Sequence, residues 1–201
     1  MKYWEDFLPD VLPQCPGCPD IVAEAEIRNA AEEFLAESRA WRYWVLGVVA
    51  EDGISEYQLL LPVNTRAVKL HEATLNGEPL KIQPIYAGET ACAYKATMAD
   101  TMGWVKVGPT APAADLLMNF RVSLAPTSAS TGIADDLFDT YRLGIAHGAV
   151  ARLCDMTDKP YSNPGKAVDK RTQFEAAIST ARAEKAKGNS SYKPRTTAVY
   201  F

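Results

Sequence analysis

The residues most able to do chemistry in this 201-residue chain are two cysteines, Cys15 and Cys18, separated by Pro16-Gly17. A C-x-x-C just ahead of a helix is the arrangement of a dithiol redox centre, because the helix N-terminus stabilises the attacking thiolate. The surroundings favour a plain Pro-Gly turn carrying two small apolar residues. Residues 8–14 are broken by proline rather than written as a buried strand, and no βαβ pattern follows. The pair does not complete a metal site either. Zinc takes four ligands, and the other candidates (Cys92, Cys154, His71 and His147) stand alone, with no second C-x-x-C and no H-x-x-x-H. His147 sits beside two glycines in helical text, where a packed or hydrogen-bonded histidine is commoner than a ligand.

No G-x-S-x-G, phosphate loop, dinucleotide fingerprint or H-E-x-x-H occurs. Carboxylates adjoin at Glu32-Glu33 and Asp135-Asp136. Neighbours on a helix point apart, so these read as a solvated face and a dipole-compensating first turn. Four tryptophans (4, 41, 44 and 104) and nine tyrosines could stack on sugars or bases, although packing accounts for them equally well. Trp41 and Trp44, three apart, are placed to seal helix against strands. The chain reads as a non-enzyme with no cofactor and no metal.

The elements that must position these residues follow from periodicity. Four prolines at 9, 13, 16 and 19 forbid a long helix at the start. From 20 to about 44 the text is Ala-rich without Gly or Pro, and Ile27, Ala31, Phe34, Leu35, Ser38 and Trp41 form one stripe. Short runs rich in Val, Ile, Leu and Tyr then follow at 45–50, 55–61, 67–74, 80–84, 91–97, 104–107 and 116–124. Asp52-Gly53 divides the first two, and Asn76-Gly77 is the strongest hairpin signal, although Glu78-Pro79 could lengthen that loop. In the last run Met118, Phe120, Val122 and Leu124 alternate with polar residues. After a Ser/Thr linker at 126–132 the helical period returns, with Leu137, Tyr141, Ile145, Ala149 and Leu153 at every fourth position. Gly144 and Gly148 allow a close neighbour there. Asn163-Pro164 caps a last helix that runs to about Lys187, with Phe174 and Ile178 facing inward, and Gly188 ends it.

The expected fold class is α+β: an antiparallel helical bundle, one N-terminal and two C-terminal helices, with an inserted small β-sandwich-like lobe. Residues 1–44 plus 126–188 would form the helical domain, 45–125 the β-rich lobe and 189–201 an extended arm. Phe34 and Trp41 should then meet residues such as Tyr141, Ile145 or Phe174. In the arm, Tyr192, Lys193 and Arg195 offer an aromatic and two cations, and Val199, Tyr200 and Phe201 form an apolar cluster that a solvated tail does not need. The arm therefore reads as a docking segment.

Composition, 47% apolar and 23% charged, is that of an ordinary globular chain. No apolar run is long enough to span a membrane, and the first thirteen residues lack the charge and texture of a signal peptide. Four cysteines suit a reducing compartment. Residues 1–158 carry 12 Lys and Arg against 22 Asp and Glu, whereas 159–201 carry 9 against 3. Thinly spread cations on so acidic a body make duplex binding by the tail a weak reading.

Both ends of the chain resemble a set of small virion proteins of tailed bacteriophages. The likeness rests on Trp4-Glu5-Asp6-Phe7-Leu8-Pro9-Asp10-Val11-Leu12-Pro13, Pro16-Gly17-Cys18-Pro19 and a helix containing Arg28-Asn29-Ala30-Ala31-Glu32-Glu33-Phe34. It continues in Ala146-His147-Gly148-Ala149-Val150-Ala151-Arg152-Leu153 and Lys159-Pro160-Tyr161-Ser162-Asn163-Pro164 ahead of the last helix. These are head-to-tail adaptor, neck or gatekeeper proteins, similar in layout to the tail tubular protein A of short-tailed phages. The likeness covers roughly 4–44 and 134–188. The strand region shares only the pattern of elements.

The resemblance implies a structural ring, commonly twelvefold, at the head-tail junction of a virion, made in the host cytoplasm. Its helical part would form the wall and its C-terminal arm would reach the portal protein, with a distal tail or nozzle protein below. Double-stranded DNA would pass through the lumen without specific binding, which suits an acidic body. No catalytic residue is implied, and a cysteine at position 15 is not required. Two alternatives remain open: a thioredoxin-like or other redox protein using Cys15 and Cys18, and a module whose β lobe binds carbohydrate or a neighbouring protein.

Overall fold

Proline spacing sets the first turns of the chain. A computed structural model describes residues 1–85 and 94–187. After strand β1 (Lys2–Tyr3) come a 3-10 turn at Trp4–Phe7, the short helix α1 (Leu8–Val11) and a second 3-10 turn at Leu12–Gln14. The Asp6 carboxylate accepts the Tyr3 N–H at 2.8 Å, and the Trp4 indole donates to the carbonyl of Ser130 at 2.7 Å. Phe7 and Val11 are thereby carried inward and are fully buried.

Helix α2 (Asp20–Ser38) stops six residues short of the expected end. Arg39 turns left-handed at φ 55°, ψ 33°, its N–H still bonded to the carbonyl of Leu35. From there Arg42-Tyr43-Trp44-Val45 is aromatic and β-branched, and cross-strand pairing takes it over as strand β2 (Arg42–Val49). Trp41 and Trp44 thus share no helical face. Trp41 packs against both buried clusters of the molecule, as expected of a seal. Trp44 is 43% exposed.

The remaining strands are β3 (Glu56–Gln58), β4 (Thr65–Leu75), β5 (Glu78–Pro79), β6 (Lys81–Ile82), β7 (Lys95–Met98), β8 (Trp104–Gly108), β9 (Leu117–Pro126) and β10 (Gly132–Ile133). They form a two-stranded pair β1-β10 and two four-stranded sheets, ordered β2-β9-β4-β5 and β3-β8-β7-β6. Every pairing is antiparallel except β6 with β7. Asn76-Gly77 makes a two-residue hairpin, both residues at positive φ (49° and 86°), with Leu75 opposite Glu78. Glu78-Pro79 is therefore strand rather than loop, and Pro79 is tolerated because β5 lies at a sheet edge. Met118, Phe120, Val122 and Leu124 all point inward and are fully buried in one cluster with Tyr57, Val105 and Val107 of the second sheet.

Helices α3 (Asp135–Asp155) and α4 (Pro164–Lys187) complete the mixed α+β chain. The Asn163 side chain caps α4, accepting the Lys166 N–H at 3.1 Å. Phe34 of α2 lies 5.3 Å from Tyr141 of α3 and 6.0 Å from Phe174 of α4, ring centre to ring centre. The two glycines of α3 make room for these rings. A Cβ at Gly144 would stand 3.0 Å from Phe34 Cε2, and one at Gly148 only 2.5 Å from Phe174 Cε2. Phe174 is fully buried and has nowhere to retreat. Gly148→Ala should therefore destabilise the chain by about 1–3 kcal/mol through overpacking, despite its better helix propensity, as urea unfolding would show.

Candidate functional site

Cys15 lies at the end of the second 3-10 turn, and its nearest thiol partner is not Cys18. Its Sγ is 3.8 Å from Sγ of Cys154 on α3, and both residues are buried. Cys18 sits just before α2, its Sγ donating to the Pro19 carbonyl at 3.6 Å. All three thiols are free. Burial, reinforced by Cys154, pushes the Cys15 thiol up to about 12, and burial raises Cys18 against a hydrogen bond from Tyr161. A dithiol exchange centre needs the opposite shift, toward a thiolate at neutral pH. What this arrangement does is pack the first segment against α3. Cys92 falls outside the described residues.

The histidines stand apart from the thiols and from each other. Burial and nearby Lys170 lower His147. His71, on β4, is pushed down to about 4 by burial and by the charges of Arg42, Lys69, Arg39 and Arg121. Among the described residues no group of three or more His, Cys, Asp or Glu side chains is gathered to hold a metal, and no helix is long and apolar enough to cross a membrane.

Charged groups do their work between elements distant in sequence. Glu32 and Glu33, expected on a solvated face, are both paired. Glu32 accepts from Arg66 of β4 at 3.1 Å. Glu33 accepts from Arg152 of α3 at 2.6 Å and from Arg171 of α4 at 2.7 Å, so one carboxylate ties three helices. Arg182 of α4 reaches the Glu37 carbonyl at 2.6 Å, and Arg142 of α3 reaches Asp10 at 3.0 Å. Lys166 donates to the Gln14 carbonyl at 2.5 Å. Asp135 keeps its first-turn place and also holds the Met1 ammonium at 2.8 Å. Sequence reading missed the Glu33 junction because its partners lie more than a hundred positions away.

Burial pushes the Glu33 carboxyl up, but hydrogen bonds and charge from Arg171 and Arg152 outweigh it and hold the group below the ordinary carboxylate range. A depressed carboxyl stabilises the fold above its unfolded value, and that contribution is lost as pH falls through the folded value. Glu33→Gln should cost about 1 kcal/mol at neutral pH, and the difference from the parent should vanish in acid, in thermal melts across pH.

Where the first segment, β4 and the start of α3 meet, a hollow of about 580 Å³ is lined by Met1, Trp41, Val63, Ile133 and Asp135 among others. A smaller one of about 220 Å³ lies beside Trp41, Arg42, Arg121 and Lys185. The expected arm residues Tyr192, Lys193, Arg195, Val199, Tyr200 and Phe201 lie outside the described residues. No family model matches the chain, and no curated protein matches it.

Proposed function

We propose that this protein is a structural virion component, the head-to-tail adaptor that forms a ring, twelvefold by resemblance, between portal and tail and completes the DNA conduit. In this reading α2, α3 and α4 are the antiparallel bundle of the ring wall. The strands of 45–125 form an inserted sandwich-like lobe that faces the next tail component, and 189–201 is the arm that docks on the portal.

One observation supports it most. The two stretches that carry the resemblance, near 4–44 and 134–188, are separated by about ninety residues of strands yet interlock in space. Phe7 packs edge-on to Phe138 at 4.7 Å, Cys15 touches Cys154, and Phe34 joins Tyr141 and Phe174. A likeness confined to two distant segments is what a shared structural unit produces, since each needs the other to bury its apolar stripe. The burial of Cys15 against Cys154, which raises its thiol rather than favouring a thiolate, supports the structural reading over the redox one.

An acidic body resists premature self-association. The isolated protein should therefore run as a monomer in size-exclusion chromatography at micromolar concentration, and co-sediment as a ring once the portal protein of the same genome is added. A complete ring without portal would contradict the assembly order, and no association with portal would contradict the reading itself.

A further inference from the structure

One corner of the β2-β9-β4-β5 sheet gathers cations. The register sets Arg42 of β2 and Lys69 of β4 on either side of Ser123, and Trp44 and Glu72 on either side of Arg121. Cross-strand neighbours share a face, so Arg42, Lys69 and Arg121 lie together on the face opposite Phe120, Val122 and Leu124. Arg39, at the left-handed end of α2, adds its charge to that of Arg42, Lys69 and Arg121 around His71, and Lys185 comes in beside Arg42 and Arg121 from the last turns of α4. Arg121 donates through Nη1 to Glu72 at 2.7 Å and stands 5.4 Å over the Trp44 ring. Arg42, Lys69 and Lys185 have no ion pair among the described residues. Nε of Arg42, Nε of Arg121 and Nε2 of His71 are buried without a hydrogen-bond partner.

Three of these cations border open space. Arg42, Arg121 and Lys185 line the 220 Å³ hollow with Trp41, Leu137 and the single carboxylate of Asp136. Beside it, past Trp44, a second hollow of about 440 Å³ is walled by Trp44, Leu46, Thr74, Gly77 and Asn119. Leu46 is 69% exposed there. A cationic pocket is thus followed along one face by an apolar step.

We propose that this corner is a docking site for an acidic segment of a partner protein, which places a carboxylate between Arg42, Arg121 and Lys185 and an apolar side chain against Trp44 and Leu46. Guanidinium groups bind carboxylates through paired, charge-assisted hydrogen bonds, and a buried N–H without an acceptor is costly until one arrives. A duplex suits the corner less well. Asp136 stands in its wall, the pocket admits one oxyanion rather than a row of phosphates, and the acidic body repels a polyanion. The site rests on the corner's own geometry and not on the adaptor reading.

The test uses the full chain and tryptophan fluorescence, since Trp41 lines the pocket. The probes are acetyl-Asp-Leu-Asp-Leu-Asp-amide, its Asn counterpart and a short DNA duplex. The acidic peptide should bind, more weakly as salt rises, while the Asn peptide and the duplex should not. The double variant Arg42→Gln, Lys185→Gln should bind it about tenfold more weakly with an unchanged melting temperature. Should that variant fail to fold, Lys185→Gln alone, on a helix surface, must still weaken binding. Undiminished binding by the variants, equal binding of the Asn peptide, or preference for the duplex would overturn the proposal.

Discussion

Phe34→Ala is expected to destabilise the protein by about 3–5 kcal/mol, the cost of emptying a buried aromatic site that cannot collapse. Phe34 is 1% exposed and stands where three helices converge, between Tyr141 and Phe174 and against the open face of Gly144. Its loss removes ring contacts to two helices at once and leaves Phe174 facing a cavity. Urea unfolding followed by circular dichroism measures this. A cost below about 1 kcal/mol would mean that the helices do not depend on this contact.

The same residues show how far the sequence could be read. The stripe through Ile27, Phe34 and Leu35, the fourfold spacing from Leu137 to Leu153 and the Asn163 cap are local signals, and α3 and α4 begin where those signals stand. The Asn76-Gly77 hairpin was legible for the same reason, because a two-residue turn at positive φ has few possible sequences. The end of α2 was not. Trp41 continues the helical stripe in sequence, and only pairing with β9, some eighty residues on, makes strand the better outcome for Arg42–Val49. Glu33 and the cationic corner were hidden more deeply. Arg39 with Arg42, then Lys69, Arg121 and Lys185, come from four places along the chain, and no pattern of spacing links Arg42, Lys69 and Arg121 before the register of the sheet does.

A chain ending at Lys187 is expected to fold and yet lose the portal. It retains every described helix and strand, so its melting temperature should match the full chain. On the adaptor reading it lacks the aromatic anchors Tyr200 and Phe201, and such anchors dominate interfaces of this kind. Their loss should remove several kcal/mol of binding, enough to abolish co-sedimentation with portal rings at micromolar concentration. The substitutions Tyr200→Ala and Phe201→Ala in the full chain should reproduce most of that loss, which separates anchoring from a general effect of tail length. Binding as tight as that of the full chain would remove the arm from the docking mechanism.

The most direct test of the account is electron cryomicroscopy of this protein mixed with the portal protein encoded in the same genome. A closed ring of copies seated on one end of the portal is expected, with α2, α3 and α4 in the wall around an open lumen and the residues after Lys187 running along the portal surface. Portal particles that carry no added ring at concentrations well above micromolar would contradict it.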